Sequence, residues 1–187
     1  MSKSTNSYNL LWKSSNLKLN FKNIYRYLPS KINLLLLSDG SFTKLLETLL
    51  GDLIQVNFIN NYKIKHCMSY QEHSCNFVAL RIHRRCWLLD RNGCKLLFAS
   101  SWYVPKLSLQ CQTAQLVPLG KIFVSSELIL YRRLHCIACL HSKHLQEQFN
   151  TQENIWTREY ILYNKQQPFI LIKELFSPRL IRYFLDT

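Results

Sequence analysis

The sequence predicts an α+β fold in which two similar hairpins form an antiparallel sheet and helices cover one of its faces. In the first hairpin, strand-like residues 76–89 and 95–103 are joined through Asp90-Arg-Asn-Gly93, and Asn-Gly is a strong hairpin signal. The second hairpin repeats the first at a constant offset of 73 residues, so that Arg85 corresponds to Arg158 and each copy ends in a proline. Segments with helically spaced apolar residues precede and separate the two hairpins.

Composition excludes several classes of protein. The chain has 187 residues, 48% hydrophobic and 19% charged, which is unlike a disordered polymer, a collagen-like fibre or a bare coiled coil. It contains no apolar run of about 18 residues, so no membrane span is expected. A net charge of +13 favours an anionic partner, which leaves nucleic acid, an acidic lipid surface and a small polyanion as candidates. Codon usage in an AT-rich genome accounts for the excess lysine equally well.

The N-terminal segment is basic and contains large apolar residues. Residues 1–38 contain no Asp or Glu, which is also typical of a transit peptide. Side chains such as Trp12 and Phe21 favour instead an element that packs on the protein and is not cleaved. We therefore expect residues 1–33 to form a basic N-terminal element and residues 34–187 to form one domain.

The first helix is predicted just after Ser38. Its apolar residues fall at i, i+3, i+4, i+7 and i+8: Phe42, Leu45, Leu46, Leu49 and Leu50. Ser38, Asp39 or Ser41 can accept hydrogen bonds from the free N–H groups at its start, and Gly51 suits the left-handed position after its end.

Three further segments follow from the same patterns. Residues 52–59 alternate and are rich in β-branched side chains, which predicts a strand, and the polar residues 63–74 are expected to form a loop. Residues 130–149 are predicted to form a long amphipathic helix. Its apolar face recurs at steps of three and four: Leu130, Leu134, Ile137, Ala138, His141, Leu145 and Phe149.

The seven cysteines are an odd number and are interpreted as free thiols of a reducing compartment. Cys136 and Cys139, with three nearby histidines, have a spacing that resembles a zinc cluster. The helical period of the same segment argues against it, and the sequence has no second Cys-x2-Cys pair to complete a tetrahedral site. We therefore expect no metal site in this segment.

Glu174 is the most informative polar residue. Strand alternation places it on the same face as Ile172 and Phe176, where an ionised carboxylate needs a cationic partner or else takes up a proton. Arg85, on the face of Trp87 in the first hairpin, is the predicted partner. The alternative is an edge strand whose Glu174 is in contact with water.

A bend at Pro118-Leu-Gly120 lies just before the predicted long helix. Such a bend can present backbone N–H groups to an anion, although ordinary turns have the same sequence pattern and are commoner.

Four blocks of the sequence resemble, in order and spacing, those of chorismate pyruvate-lyases, and most closely the chorismate lyase-like open reading frames of plastid and cyanobacterial genomes. They are Leu-Leu-Ser-Asp-Gly-Ser-Phe42-Thr-Lys, Arg85-Cys-Trp-Leu-Leu, Pro118-Leu-Gly120-Lys-Ile-Phe-Val-Ser-Ser, and Pro168-Phe-Ile-Leu-Ile-Lys-Glu174-Leu-Phe-Ser-Pro178. The resemblance covers residues 34–178. It implies a six-stranded antiparallel sheet with helices on one face and a ligand enclosed in an internal cavity.

The resemblance also implies roles for five residues. Arg85 and Glu174 would be catalytic, with Arg85 binding the substrate carboxylate and Glu174 beside the reacting ring. Leu119 would offer a backbone N–H to the ligand, next to Gly120. Phe42 would line the pocket where the enzyme of the ubiquinone pathway has a methionine, and this departure changes the shape of the pocket.

The implied activity is conversion of chorismate to 4-hydroxybenzoate and pyruvate in the plastid stroma, as a step towards prenylquinones. The resemblance implies that this reaction uses neither a metal nor a cofactor. A protein on the same fold that binds a small aromatic acid without turnover is the alternative. A GntR-type transcription regulator is disfavoured, because too few residues precede the matched region for a DNA-binding domain. Nucleic-acid binding is disfavoured too, because the basic residues are dispersed and no RNP-like motif is present. The oligomeric state stays open, with a monomer favoured.

Overall fold

The computed structural model describes residues 9–15, 28, 30–63, 82–103, 118–120 and 129–185. These residues form an α+β domain with one large sheet. The strands are β1 (Asn9–Ser15), β2 (Gln55–Lys63), β3 (Ile82–Leu89), β4 (Lys95–Tyr103), β5 (Leu130–His141), β6 (Ile155–Asn164) and β7 (Gln167–Phe176). The helices are α1 (Ser30–Leu37), α2 (Phe42–Leu50), α3 (Lys143–Phe149) and α4 (Pro178–Leu185). Within these ranges no helix is both long enough and apolar enough to cross a membrane.

The sheet has seven strands rather than the expected six. Their order is β1-β5-β6-β7-β4-β3-β2, and every neighbouring pair is antiparallel. At one edge, β1 comes from the basic N-terminal segment and pairs with β5. The two predicted hairpins, β3–β4 and β6–β7, are confirmed and lie side by side because β4 pairs with β7.

Helices lie on both faces of the sheet, so the expectation of helices on one face is wrong. On the inner face, which carries Leu97 and Phe176, buried residues of α1, α2 and α4 join one core with the sheet. On the outer face, which carries Trp87 and Leu175, Phe149 of α3 packs in a separate cluster. Strand alternation separates the two cores, since neighbouring residues such as Leu175 and Phe176 point to opposite faces.

Helix α2 agrees with its prediction at both ends. Ser41 is the N-cap and accepts a hydrogen bond from the backbone N–H of Lys44 at 3.4 Å. Gly51 follows the helix with φ of +66°, the left-handed conformation that glycine adopts at low cost. The buried Phe42 and Leu46 turn α2 towards the inner core.

The predicted helix over residues 130–149 is wrong for most of its length. Residues 130–141 form β5, between β1 and β6, and only residues 143–149 are helical. A bulge between Leu134 and Cys136 shifts the register of β5 on β6 by one residue. Because a bulge moves an inward side chain from position i+2 to i+3, Leu134 and Ile137 both reach the inner core at a spacing that imitates a helix.

The turn of the first hairpin differs in detail from the Asn-Gly prediction. Gly93 has φ of +76°, but Asn92 is not among the residues with positive φ. The Asp90 carboxylate organises the turn instead, since its Oδ1 accepts from the N–H groups of Asn92 at 2.9 Å and Cys94 at 2.8 Å. The predicted loop over residues 63–74 lies outside the described residues except for Lys63, which ends β2.

Candidate active site

A small cavity lies on the inner face of the sheet, under the connection between α1 and α2. Its volume is about 70 Å³, which at ~10–15 Å³ per site is room for about five to seven water molecules. This is below the ~300–1,000 Å³ typical of small-molecule sites, so an aromatic acid must widen the cavity when it binds. The structure brings four predicted site residues to it: Phe42, Leu119, Gly120 and Glu174. The rest of the wall is mixed. Apolar side chains include Leu88, Leu97, Ala99 and Ile172, and the polar ones include Arg84, Cys86, Ser101, Arg132 and Tyr160.

Both carboxylate oxygens of Glu174 have partners within β6. Arg158 Nε donates to Oε2 at 2.6 Å, and the Tyr160 hydroxyl donates to Oε1 at 3.0 Å. The ion pair is buried, with side-chain exposures of 1% for Arg158 and 9% for Glu174. Glu174 is therefore a paired carboxylate, and the alternative of an exposed edge strand is wrong.

Arg158 connects Glu174 to the end of α1. Its Nη1 donates to the carbonyl oxygens of Leu35, Leu36 and Ser38 at 3.2 Å each, and to Ser38 Oγ at 3.1 Å. A cation at these carbonyls satisfies groups that a helix leaves without partners at its C-terminus. Arg158 therefore fixes the orientation of the Glu174 carboxylate and the end of α1 together.

The predicted pairing of Arg85 with Glu174 is wrong. Arg85 lies on the outer face, where its Nε donates to Asn60 Oδ1 at 3.0 Å, and it lines a different cavity. The reason is the register of the hairpins. Arg158 lies opposite Glu174 across β6 and β7. At the offset of 73 residues, the same pairing in the first hairpin would put Arg85 opposite Ser101, but Arg85 lies opposite Ser100. A one-residue slip turns every side chain of a strand to the other face.

Arg84 occupies the inner face in place of Arg85. It is 2% exposed and lines the cavity with Glu174 and Cys86. Burial raises the pKa of the Cys86 thiol, with Arg84 opposing the rise and Glu174 adding to it. The sequence prediction missed Arg84. Its only signal was the Arg84-Arg85 dipeptide, and the dipeptide does not show which of the two arginines faces the inner core, because that depends on how β3 pairs with its neighbours.

Arg132 supplies a second guanidinium to the cavity. Its Nη1 donates to the Ser38 carbonyl at 2.8 Å and its Nη2 to the Gly40 carbonyl at 3.2 Å, which ties the α1–α2 connection to β5. Its guanidinium carbon lies 4.2 Å from the centroid of the Tyr160 ring. Within the described ranges, the buried Arg132 Nε has no hydrogen-bond partner, so it is a donor that a ligand can use. The sequence prediction missed this residue because it placed Arg132 on a helix.

Two residues of the cavity wall, Phe42 and Gly120, are packed closely against their neighbours. The rings of Phe42 and Phe176 meet edge to face, with centroids 5.2 Å apart. At the rim, a Cβ added to Gly120 would come within 3.0 Å of Ser41 Oγ, so only glycine fits there without a shift of the serine. The α1–α2 connection and the Pro118–Gly120 segment thus meet over the ligand space.

The arrangement suits a small anion with a flat apolar body. The Arg84 and Arg132 guanidinium groups can bind a carboxylate, and Phe42, Leu97 and Ile172 can contact a ring. Glu174 is the only acidic side chain among the described residues of the wall, and it is the group that can take up a proton. Burial and Glu174 raise the pKa of the Tyr160 hydroxyl, so the hydroxyl stays protonated and keeps donating to the carboxylate.

Metal-binding residues do not assemble in the described parts of the chain, where no three His, Cys, Asp or Glu side chains form a group that could hold a metal ion. Cys136 and Cys139 lie on a strand, an odd number of residues apart, so alternation points their thiols to opposite faces of the sheet.

Comparison with known proteins identifies relatives over most of the chain. Residues 36–184 match the model of a family described as chorismate pyruvate-lyase Rv2949c-like. The uncharacterized protein ycf21 of Antithamnion sp. is 32% identical over 173 residues, which cover 91% of this chain and 88% of that protein. The ycf21 protein of Porphyra purpurea is 31% identical over 84% of this chain and 92% of its own length, and that of Cyanophora paradoxa is 28% identical over 91% and 89%.

A solved structure supports the fold alone. The crystal structure of YydK from Bacillus subtilis, described as a possible transcriptional regulator, matches with a TM-score of 0.51. It has 14% sequence identity over 67% of this chain and 58% of that chain.

Proposed function

The chain belongs to the family described as chorismate pyruvate-lyase Rv2949c-like, and from this premise we propose that it converts chorismate to 4-hydroxybenzoate and pyruvate. The observation that carries the proposal is the inner cavity, in which Glu174 and Arg84 face one small, largely apolar space. A site for this reaction needs a cation for the ring carboxylate, an apolar wall for the ring and one group for proton transfer. All three are present.

The proposed reaction is an elimination that makes the ring aromatic. The ring carbon that bears the hydroxyl group loses its proton, and the neighbouring C–O bond breaks so that its electrons leave with enolpyruvate. Enolpyruvate then takes up a proton on carbon and becomes pyruvate. Because aromatisation supplies most of the driving force, the protein has chiefly to orient the substrate and accept the ring proton.

Each residue of the cavity then has a defined task. Glu174 accepts the ring proton, and Arg158 positions the Glu174 carboxylate through its hydrogen bond to Oε2. Arg84 binds the ring carboxylate, in the role that the resemblance implied for Arg85. Phe42 packs against the ring, and the backbone at Leu119 and Gly120 approaches the ligand.

A binding protein without turnover is the second candidate, and one observation favours it. Both oxygens of Glu174 already accept hydrogen bonds, from Arg158 and Tyr160, which leaves this carboxylate fewer free lone pairs for a proton. In that case the same cavity holds an aromatic acid and releases it unchanged.

We further propose that the protein acts in the plastid stroma, because its ycf21 relatives are encoded in the plastid genomes of red algae and Cyanophora. Neither a metal nor an organic cofactor has a task in the proposed reaction. Chorismate and the aromatic product are then the partners of the inner cavity.

Pyruvate release tests the proposal directly. Purified protein is mixed with chorismate, and pyruvate is detected through lactate dehydrogenase and NADH. We expect chorismate-dependent turnover that Glu174→Gln lowers by about 10²- to 10⁴-fold, as for the loss of a proton-transfer group. The matched control is Glu153→Gln, an exposed carboxylate that pairs with Arg182 on the surface and should keep full activity.

Binding of the product distinguishes the two candidates. If the wild type binds 4-hydroxybenzoate in calorimetry but releases no pyruvate over hours, the binding protein is correct and the lyase is wrong. If it neither binds 4-hydroxybenzoate nor releases pyruvate, both are wrong.

A further inference from the structure

A second, larger cavity lies on the outer face of the sheet, between β3, β4 and β7 on one side and α3 on the other. Its volume is about 480 Å³, within the ~300–1,000 Å³ range typical of small-molecule sites. Among the described residues, the linings of the two cavities have none in common, because the sheet separates them. Leu145 and Gln148 of α3 form its roof, and Gln148 Oε1 is tied to β4 by Lys95 Nζ at 2.7 Å.

A polar row runs across the floor of this outer cavity. In the sheet register Asn60 pairs with Arg85, Arg85 with Ser100, and Ser100 with Lys173. Neighbouring strands lie ~4.8 Å apart, so the backbones at Arg85 and Lys173 are about 10 Å apart with the serine hydroxyl between them. The row is held in place, since Arg85 Nε donates to Asn60 and His83 Nε2 is 2.6 Å from Ser100 Oγ.

Aromatic side chains flank the row on both sides. Trp87 and Phe98 are two residues along their strands in one direction, with ring centroids 4.8 Å apart. His83 and Trp102 are two residues away in the other direction and stack with centroids 4.4 Å apart and planes 6° from parallel. These flat surfaces beside a cationic row suit a planar ring that carries an acid group.

The charge of the polar row favours a ligand with a single negative charge. Arg85 and Lys173 are cationic, and the described lining contains no carboxylate. In the sheet register Glu159 of the next strand, β6, lies opposite Lys173 and outside the described lining, so one carboxylate lies near the two cations. A monoanion therefore matches the row better than a doubly charged phosphate.

We propose that the outer cavity is a binding site for a planar aromatic monocarboxylate, separate from the inner cavity. The carboxylate lies over Ser100 between Arg85 and Lys173, and the ring packs against the flanking aromatic residues under α3. The proposal does not depend on turnover at Glu174, because no residue of the inner cavity takes part.

Benzoate binding followed by NMR tests this site on the intact chain. The described lining of the inner cavity contains no tryptophan, whereas Trp87 and Trp102 line the outer one, so their indole N–H signals report on the outer cavity. We expect benzoate to shift both signals, and Arg85→Met to weaken this binding about tenfold or more, since charge-assisted hydrogen bonds are lost. Arg91→Met is the matched control: Arg91 is 74% exposed in the turn of the same hairpin and should leave the binding unchanged.

One more variant and two further ligands test whether both cations and an aromatic carboxylate are required. Lys173→Met should also weaken benzoate binding, and it keeps the test valid if Arg85→Met does not fold. Uncharged phenol should leave both indole signals unchanged at the same concentration, and inorganic phosphate should bind at least about tenfold more weakly than benzoate.

Four results would overturn the proposal. They are unshifted indole signals at saturating benzoate, equal affinity in the Arg85, Lys173 and Arg91 variants, phosphate affinity equal to that for benzoate, and signals that shift with protein concentration alone. The last result would mean that a second copy of the chain covers this face. If Arg85→Met still releases pyruvate but benzoate no longer shifts the indole signals, the outer site is shown to bind independently of the inner one.

Discussion

Replacement of Arg158 and Glu174 by apolar residues, singly and together, measures how strongly the two charges depend on each other. We consider Arg158→Met, Glu174→Leu and the double variant, because methionine and leucine roughly keep the volume of the side chains. The pair is buried, with 2.6 Å between Arg158 Nε and Glu174 Oε2. Each single variant leaves one buried charge without its partner, and the double variant leaves none.

The expected magnitudes follow from this burial. Removing one partner of a buried ion pair costs about 3–5 kcal/mol, whereas replacing both by apolar side chains is often close to neutral. Arg158→Met also removes the donors to the carbonyl groups of α1, so some destabilisation should persist in the double variant. We therefore expect the double variant to be more stable than the sum of the single effects predicts, by about 2–4 kcal/mol.

Urea unfolding, followed by far-UV circular dichroism, gives the free energies for this cycle. A second cycle with Arg85→Met and Glu174→Leu is the matched control. Arg85 and Glu174 lie on opposite faces and have no hydrogen-bond partner in common in the described part of the chain, so their effects should add to within ~0.5 kcal/mol. Additive effects of Arg158 and Glu174, or strong coupling of Glu174 to Arg85, would refute the geometry described for the site.

Three further predictions concern the cavities and the stability of the fold. Arg84→Met should lower kcat/KM for chorismate about 10- to 150-fold, because charged hydrogen bonds contribute ~1.5–3 kcal/mol, whereas Arg85→Met should change it less than about threefold; steady-state kinetics check both. Gly120→Ala should weaken 4-hydroxybenzoate binding in calorimetry about 2- to 10-fold, since its Cβ would lie 3.0 Å from Ser41 Oγ and would displace that side chain, and an added Ser41→Ala should restore most of the affinity. Burial and Arg85 lower the pKa of His83 to about 4, so between pH 6.5 and 4 the unfolded chain binds a proton that the folded chain does not. Stability should therefore fall as the pH is lowered through this window, by roughly 1–2 kcal/mol, and urea titrations of His83→Gln should show a smaller fall.

Local signals in the sequence were sufficient for the two hairpins and for α2. Each depends on residues that are close together along the chain: a turn with Gly93, and a helix with a serine cap and Gly51 after its end. The number of strands was not accessible in this way. Whether the basic segment at residues 9–15 joins the sheet depends on an edge of β5 that is far away in sequence.

The error at β5 came from a bulge. Apolar residues at Leu134 and Ile137 are three apart, which is the spacing of a helix face, and both reach the inner core. A bulged strand and an amphipathic helix produce the same local pattern there, and only the partner strands β1 and β6 distinguish them.

The assignment of the site depended on a register shift of one residue. Glu174 was located correctly on a buried face, because alternation within one strand determines that face. Which of Arg84 and Arg85 faces the inner cavity depends on how β3 pairs with β4. The sequence repeat predicted this register with an error of one residue. Arg158 was available from the same repeat, as the counterpart of Arg85, but only the structure shows that it is the partner of Glu174.

A crystal structure of the protein with 4-hydroxybenzoate at saturating concentration tests most directly whether the inner cavity is the ligand site. We predict ligand density in the inner cavity, with the carboxylate about 3 Å from the guanidinium group of Arg84 and the ring beside Phe42 and Glu174. An inner cavity that stays empty, while the ligand binds elsewhere or not at all, would show that the proposed site is wrong.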